Sequence, residues 1–166
     1  MSSNFEMKKK IVEEIKGKLE KSKSVILSDY RGLNVTETSE LRKNFREAGV
    51  EYKVYKNNLV KLAVEGTEFA ELAKDLVGPN AIAFGYDDPV VPAKVIKNFS
   101  KNNDKLTLKT GVIEGEYYEA AKMLEIAEIP SKDQLIVKFL GSIKSPVNNF
   151  VYLLNNISEK MESEEA

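Results

Sequence analysis

The chain has no cysteine and no histidine. That removes disulfides, thiol nucleophiles, imidazole bases and the Cys/His sets that hold zinc, and it fits a reducing compartment. No apolar run approaches the ~20 residues of a membrane span. The N-terminal stretch MSSNFEMKKKIVEEI alternates charged with apolar residues and lacks the apolar core of a signal peptide. A soluble, intracellular chain is expected. Catalytic signatures are missing too. There is no Gly-rich loop ending in Lys-Ser/Thr and no GxGxxG after a strand. Asp87-Asp88 could act as paired carboxylates, but they precede Pro89 at a helix start, where Asp is expected for capping. Ser28 and Lys56 could be imagined as nucleophile and base, yet nothing marks an oxyanion site. No enzymatic activity, cofactor or metal is expected.

What is present is charge, unevenly placed. The 166 residues carry 25 Lys and Arg against 26 Asp and Glu, a net of −1. Residues 1–60 hold 13 basic and 9 acidic side chains, and residues 61–166 hold 12 and 17. A basic N-terminal part and an acidic remainder suggest two different partners. The length allows one domain with a real core and an appendage.

The most informative stretch runs from Val25 to Leu62. A strand, Ser24 to Ser28, enters the turn Asp29-Tyr30-Arg31-Gly32-Leu33. A helix capped by Asn34 with Glu37 three residues on follows, and Gly49 ends it. Val50 to Tyr55 alternates as a strand and runs into Lys56-Asn57-Asn58. Strand ends that release Arg, Lys, Asn and Gly into turns suit a phosphate backbone, although the same residues fill ordinary turns. Upstream, Met7, Ile11, Val12, Ile15 and Leu19 mark a first helix, whose Lys8-Lys9-Lys10 is uninterrupted by acid.

Downstream, two short helices span about Leu59–Val64 and Glu68–Leu76. Ala81 to Phe84 is a buried central strand, and Asp88-Pro89 starts a helix. Leu106 to Ile113 is a strand broken at Gly111, then Glu114-Gly115 turns into a helix near Tyr118–Ala127. Ser131 to Leu140 forms a short helix, Gly141 to Lys144 a joint, and Ser145-Pro146 opens the last helix. That helix spreads Val147, Phe150, Val151, Leu153, Leu154, Ile157 and Met161 over a broad apolar face. Its segment 147–166 carries 1 Lys and 4 Glu, which favours a protein partner over RNA.

DYRGL, then ELRKNFREAGVEYKVYKNNL, then LVGPNAIAF resemble the bacterial family of large-subunit ribosomal protein ten, the base of the ribosomal stalk. The similarity continues through DDPV, GVIEG and IPSKDQL, so it covers nearly the whole chain. One departure is Asn58, where the family usually has Thr. The resemblance implies a structural protein of the cytoplasmic ribosome. It would bind large-subunit rRNA and anchor dimers of the acidic stalk protein, which recruit translational GTPases. An assembly factor of the same family, or an unrelated enzyme, are the alternatives.

The expected fold is α/β: a compact domain over 1–130 with a mixed four- to five-stranded sheet flanked by helices. A short helix and hinge over 131–145 and a projecting amphipathic helix over 146–166 follow. Expected rRNA contacts are Lys8, Lys9, Arg31, Gly32, Lys53, Lys56, Asn57 and Asn58. The seven apolar residues of the last helix would hold the stalk protein. A helix from Pro146 to Met161 is about 24 Å long, room for two dimers.

Overall fold

The computed structural model describes residues 3–101, 103 and 105–164, with side-chain surroundings for residues 5–157 and 160 among them. Met161 is therefore placed on its helix, and its side chain lies outside the described residues. The chain divides into two compact units, Met1–Ile129 and Pro130–Ala166.

The first unit is a five-stranded sheet with helices on both faces. In order come α1 (Ser3–Lys21), β1 (Ser24–Asp29), α2 (Val35–Glu47), β2 (Glu51–Val54) and α3 (Asn57–Val64). A 3-10 turn (Ala70–Lys74), β3 (Ala81–Gly85), α4 (Val91–Ser100), β4 (Thr107–Ile113), β5 (Glu116–Glu119) and α5 (Ala120–Ile126) complete it. The strands lie in the order β2-β3-β1-β4-β5. Side chains alternate across the sheet, as the pleat requires. Val25, Leu27, Ile82 and Phe84 face α1, α3 and the 3-10 turn, with Ile15, Leu19, Val60 and Leu72 in the same core. Ile26 and Ala83 face the opposite core, built on Leu41 and Phe45 of α2, Ile96 and Phe99 of α4 and Met123 of α5. β1 and β3 are buried along their whole lengths, as expected of the apolar run at Ala81. The turn into α2 is closed by the Asn34 amide, which donates to Glu37 Oε2 at 2.6 Å.

The α/β class and the flanking helices match the sequence reading; within the sheet, pairing is antiparallel at every junction rather than mixed. The reason is topological. β1 and β2 point the same way and are joined through α2, but β3 inserts between them; β1 likewise separates β3 from β4. Two interlocked split βαβ units thus convert parallel connections into antiparallel neighbours.

Three local expectations change. Glu114 and Gly115 have φ of 51° and 85°, both left-handed, which makes a two-residue hairpin turn. The chain after it returns as β5, with Ile113 opposite Glu116, so the helix starts at Ala120 rather than near Tyr118. β4 runs unbroken through Gly111, where a Cβ would stand 2.9 Å from Met123 Cε. Near Asp88, the helix starts at Val91 with Pro92 in its first turn, and Asp88 Oδ1 accepts from the Val90 amide at 2.9 Å.

The second unit carries the largest correction. The short helix, the joint at Gly141–Lys144 and the helix opened by Ser145-Pro146 are one continuous helix, α6 (Lys132–Glu164), with Pro146 inside it. Gly141 and Pro146 are both helix breakers by propensity, Pro costing about 3 kcal/mol. The residues between them, Ser142 to Ser145, include only one strong helix former, Lys144, but the apolar residues hold one phase straight through both. Ile136, Ile143, Phe150 and Ile157 stand seven residues apart, as do Leu140, Val147 and Leu154. A helix ended at Gly141 would cut Ile136 and Leu140 off from the later members of their sets.

Candidate nucleic-acid interface and helical docking face

Strand register decides which loops meet. Ser28 pairs with Ala81, Val54 pairs with Ala81 from the other side, and Asp29 pairs with Thr107. The ends of β1 and β2 and the beginnings of β3 and β4 therefore lie at one edge of the sheet. The turn Tyr30–Gly32, the Lys56-Asn57-Asn58 segment, the Gly78–Asn80 loop and Lys105 stand side by side there.

The turn after β1 is fixed by its own acid. Arg31 Nε and Nη2 donate to Asp29 Oδ2 at 3.1 and 2.8 Å, and the Arg31 amide donates to Asp29 Oδ1 at 3.0 Å. The guanidinium bonds hold the Asp29 carboxyl below its usual pKa despite opposing burial, and the Arg31 amide assists. The Asp29 side chain is 10% exposed and that of Arg31 is 70% exposed, so a buried acid aims an outward cation. Gly32 follows with φ 86° and the Lys105 aliphatic chain against it. Lys105 itself reaches Glu37 at 3.4 Å.

Beneath these loops lies Lys109 of β4. Its ammonium donates to the Val77 carbonyl at 2.8 Å and to Asn80 Oδ1 at 2.7 Å, and it sits 3.8 Å from Asp29 Oδ2. Asn57 Nδ2 donates to the Gly78 carbonyl at 2.7 Å. The Gly78–Asn80 loop is thus tied to β4 and to the start of α3.

Of the residues expected at the interface, Lys8, Lys56, Asn57 and Asn58 line one groove between α1, α3 and these loops. Arg31 and Gly32 follow Tyr30, which lines the same groove. Lys9 is exposed on α1 without lining it. Lys53 is turned elsewhere. Its ammonium lies 3.0 Å from Glu14 and 3.5 Å from Glu51, in a cluster with Lys18 and Tyr55 that fastens α1 to the edge strand β2. Bonds from Lys18, then Lys53 and Tyr55, pull the Glu14 carboxyl down to about 2. Burial pushes the Tyr86 phenol up to about 12, aided by its bond to Glu51.

Lys105, Lys109, Tyr30 and Asn80 were not singled out from sequence. Only the register, which places the start of β4 beside the end of β1, brings Lys105 and Lys109 to this edge.

α6 presents a separate surface. Leu135, Ile136, Phe139, Leu140 and Ile143 are exposed, as are Val147, Phe150, Val151, Leu153, Leu154 and Ile157. At 100° per residue the seven-residue sets fall on one stripe, which Phe139 and Leu135 widen. Tyr152 and Val137 lie off it. No helix among the described residues is long and apolar enough to cross a membrane, and no cluster of acids suits a metal ion.

Comparison with known proteins matches a family model described as Ribosomal protein L10 over residues 3–101. A second, Ribosomal protein uL10 C-terminal region, matches residues 129–166. The chain is similar to the large ribosomal subunit protein uL10 of Alkaliphilus metalliredigens, at 49% identity over 166 residues and all of both chains. It is similar to that of Alkaliphilus oremlandii at 52% over 164 residues, 99% of this chain and 98% of the relative. The corresponding protein of Clostridioides difficile is 49% identical over 99% of each chain.

Proposed function

The chain belongs to the ribosomal protein L10 family, and from that premise we propose that its loop-bearing sheet edge binds large-subunit rRNA while α6 anchors the acidic stalk protein. Membership makes it a structural constituent of the large subunit in the cytoplasmic ribosome, and not an enzyme. The observation that carries the RNA assignment is the convergence of Arg31, Lys56 and Lys8 on one edge. Lysines and an oriented arginine there, beside free strand ends, suit a phosphate backbone.

The docking assignment rests on the exposed stripe of α6, an apolar surface of the kind that marks an interaction site. Seven-residue spacing suits packing of helix against helix. The expected pair of stalk dimers was counted on a helix starting at Pro146. α6 begins at Lys132 and is about 50 Å long at 1.5 Å per residue. The apolar stripe also starts earlier, at Leu135. Length therefore no longer limits the number to two, and Leu135 to Ile143 joins the docking surface. Stalk dimers bound along α6 would raise the local concentration of translational GTPases.

Gel-shift titration with a stalk-base rRNA fragment tests the first assignment. Arg31→Ala should weaken binding by roughly 1–3 kcal/mol, and affinity should fall steeply with salt. Unchanged affinity in Arg31→Ala, Lys56→Ala and Lys8→Ala alike would sink it. Native mass spectrometry with the stalk protein tests the second and counts the bound copies. Removing residues 147–166 should lower that count while rRNA binding stays intact, and a further Ile136→Asp/Ile143→Asp change should abolish it. Full capture by the truncated double variant would exclude α6 as the dock.

A further inference from the structure

We propose that the groove between α1, α3 and the loops flanking β2 and β3 receives one unstacked RNA base, in addition to the phosphates held at its rim. The inference rests on the RNA-binding reading and specifies what part of the RNA enters. Three features of the groove point to a base.

The first is charge. Lys8 and Lys56 are the charged residues lining it, and no acid does. The neighbouring groove along β2 is different, because Glu14 and Glu51 line it together with Arg42, Arg46 and Lys53. An anionic polymer is accepted by the first and met with mixed charge in the second.

The second is its apolar wall. Met7 and Leu62 are 52% and 55% exposed, and both line the groove with Ile11 and Leu59. Phosphate contacts give no reason for apolar side chains to stand in water between two lysines. A flat heterocycle does, since it needs an apolar surface beside a charged backbone path. Tyr55 lines the same groove from the α1 and α3 side, and Tyr30, which also packs against the opposite core, borders it at the loop end. Tyr55 is held in place by its edge-on contact with Phe84 and by the Glu14–Lys18 cluster. A volume of about 1020 Å³ leaves room for a nucleotide.

The third is an unused amide. Asn57 and Asn80 are spent on the loop, on Gly78 and Lys109, whereas Asn58 is exposed beside them. An Asn side chain offers both a donor and an acceptor to a base edge. Sequence-selective recognition of RNA works in this way, on bases released from pairing.

The test uses the full-length chain and a stalk-base rRNA fragment in which each unpaired nucleotide is replaced in turn by an abasic one. At one position the abasic RNA should bind about tenfold more weakly. Leu62→Ser and Tyr30→Leu should each lose a similar factor on intact RNA and almost nothing further on that abasic RNA. Tyr30→Phe, which keeps the ring, should bind as the parent does. Because no phosphate contact is lost, the salt slope should stay unchanged in Leu62→Ser and fall by about one in Lys56→Ala. If Leu62→Ser and Asn58→Ala bind like the parent while Lys56→Ala and Arg31→Ala are weakened, the base pocket is wrong and the RNA interface stands. Losses that simply add at every abasic position overturn the pocket as well. Failure of the parent to bind the fragment overturns both.

Discussion

Replacing Lys109 by Met should destabilise the first unit by about 2 kcal/mol, although a lysine within a strand such as β4 ordinarily does little more than face solvent. The ammonium donates to the Val77 carbonyl at 2.8 Å and to Asn80 Oδ1 at 2.7 Å. Hydrogen bonds from a charged group contribute roughly 1.5–3 kcal/mol. A quarter of the Lys109 side chain remains in contact with water, which weakens both bonds. Met keeps the aliphatic packing but leaves Asn80, itself 3% exposed, with an unpaired acceptor. Urea unfolding should show a lower midpoint at unchanged slope, and the thermal midpoint should drop by about 6–8 °C. Lys109→Arg should recover part of the loss. In a double-mutant cycle with Asn80→Ala, the pair should couple by at least about 0.5 kcal/mol. Lys109→Met within 0.5 kcal/mol of the parent, with additive behaviour in the cycle, would refute a tether at this point. The same variant should weaken rRNA binding, because the Gly78–Asn80 loop beside Asn57 would lose its anchor.

The Glu14 cluster should make stability depend on acid. With its pKa lowered to about 2 from 4.5, Glu14 contributes stability that is fully present above about pH 4.5. That contribution is lost as pH falls toward 2, and solvent screening keeps it modest because the side chain is 44% exposed. A Glu14→Gln variant should flatten this part of the pH–stability curve, and equal curves for parent and variant would deny the coupling. Gly85→Ala should cost about 1–3 kcal/mol, because its Cβ would meet Ser24 Oγ and stand 2.8 Å from Pro92 Cγ; thermal unfolding would show it.

The sequence by itself determined what depends on neighbours along the chain. Alternation marked β2, short apolar runs marked β1 and β3, Asn34 with Glu37 marked the start of α2, and DYRGL with KNNL marked the two turns that carry the cations. It also determined that Phe150, Leu154 and Ile157 share one helix face, because that follows from spacing alone. What only the tertiary structure decided depends on residues far apart in the chain. Antiparallel pairing arose because β3 inserts between β1 and β2, which no local pattern encodes. The partners of each lysine were settled the same way. Lys53 is held by Glu14, 39 residues away, and Lys109 by Asn80, 29 residues away. α6 shows a third case. Gly141 and Pro146 are strong local stop signals, but the helix passes through both, and its apolar residues keep a seven-residue register from Ile136 to Ile157. Propensity acts residue by residue, whereas that register holds over the length of the helix, and here the longer pattern prevails.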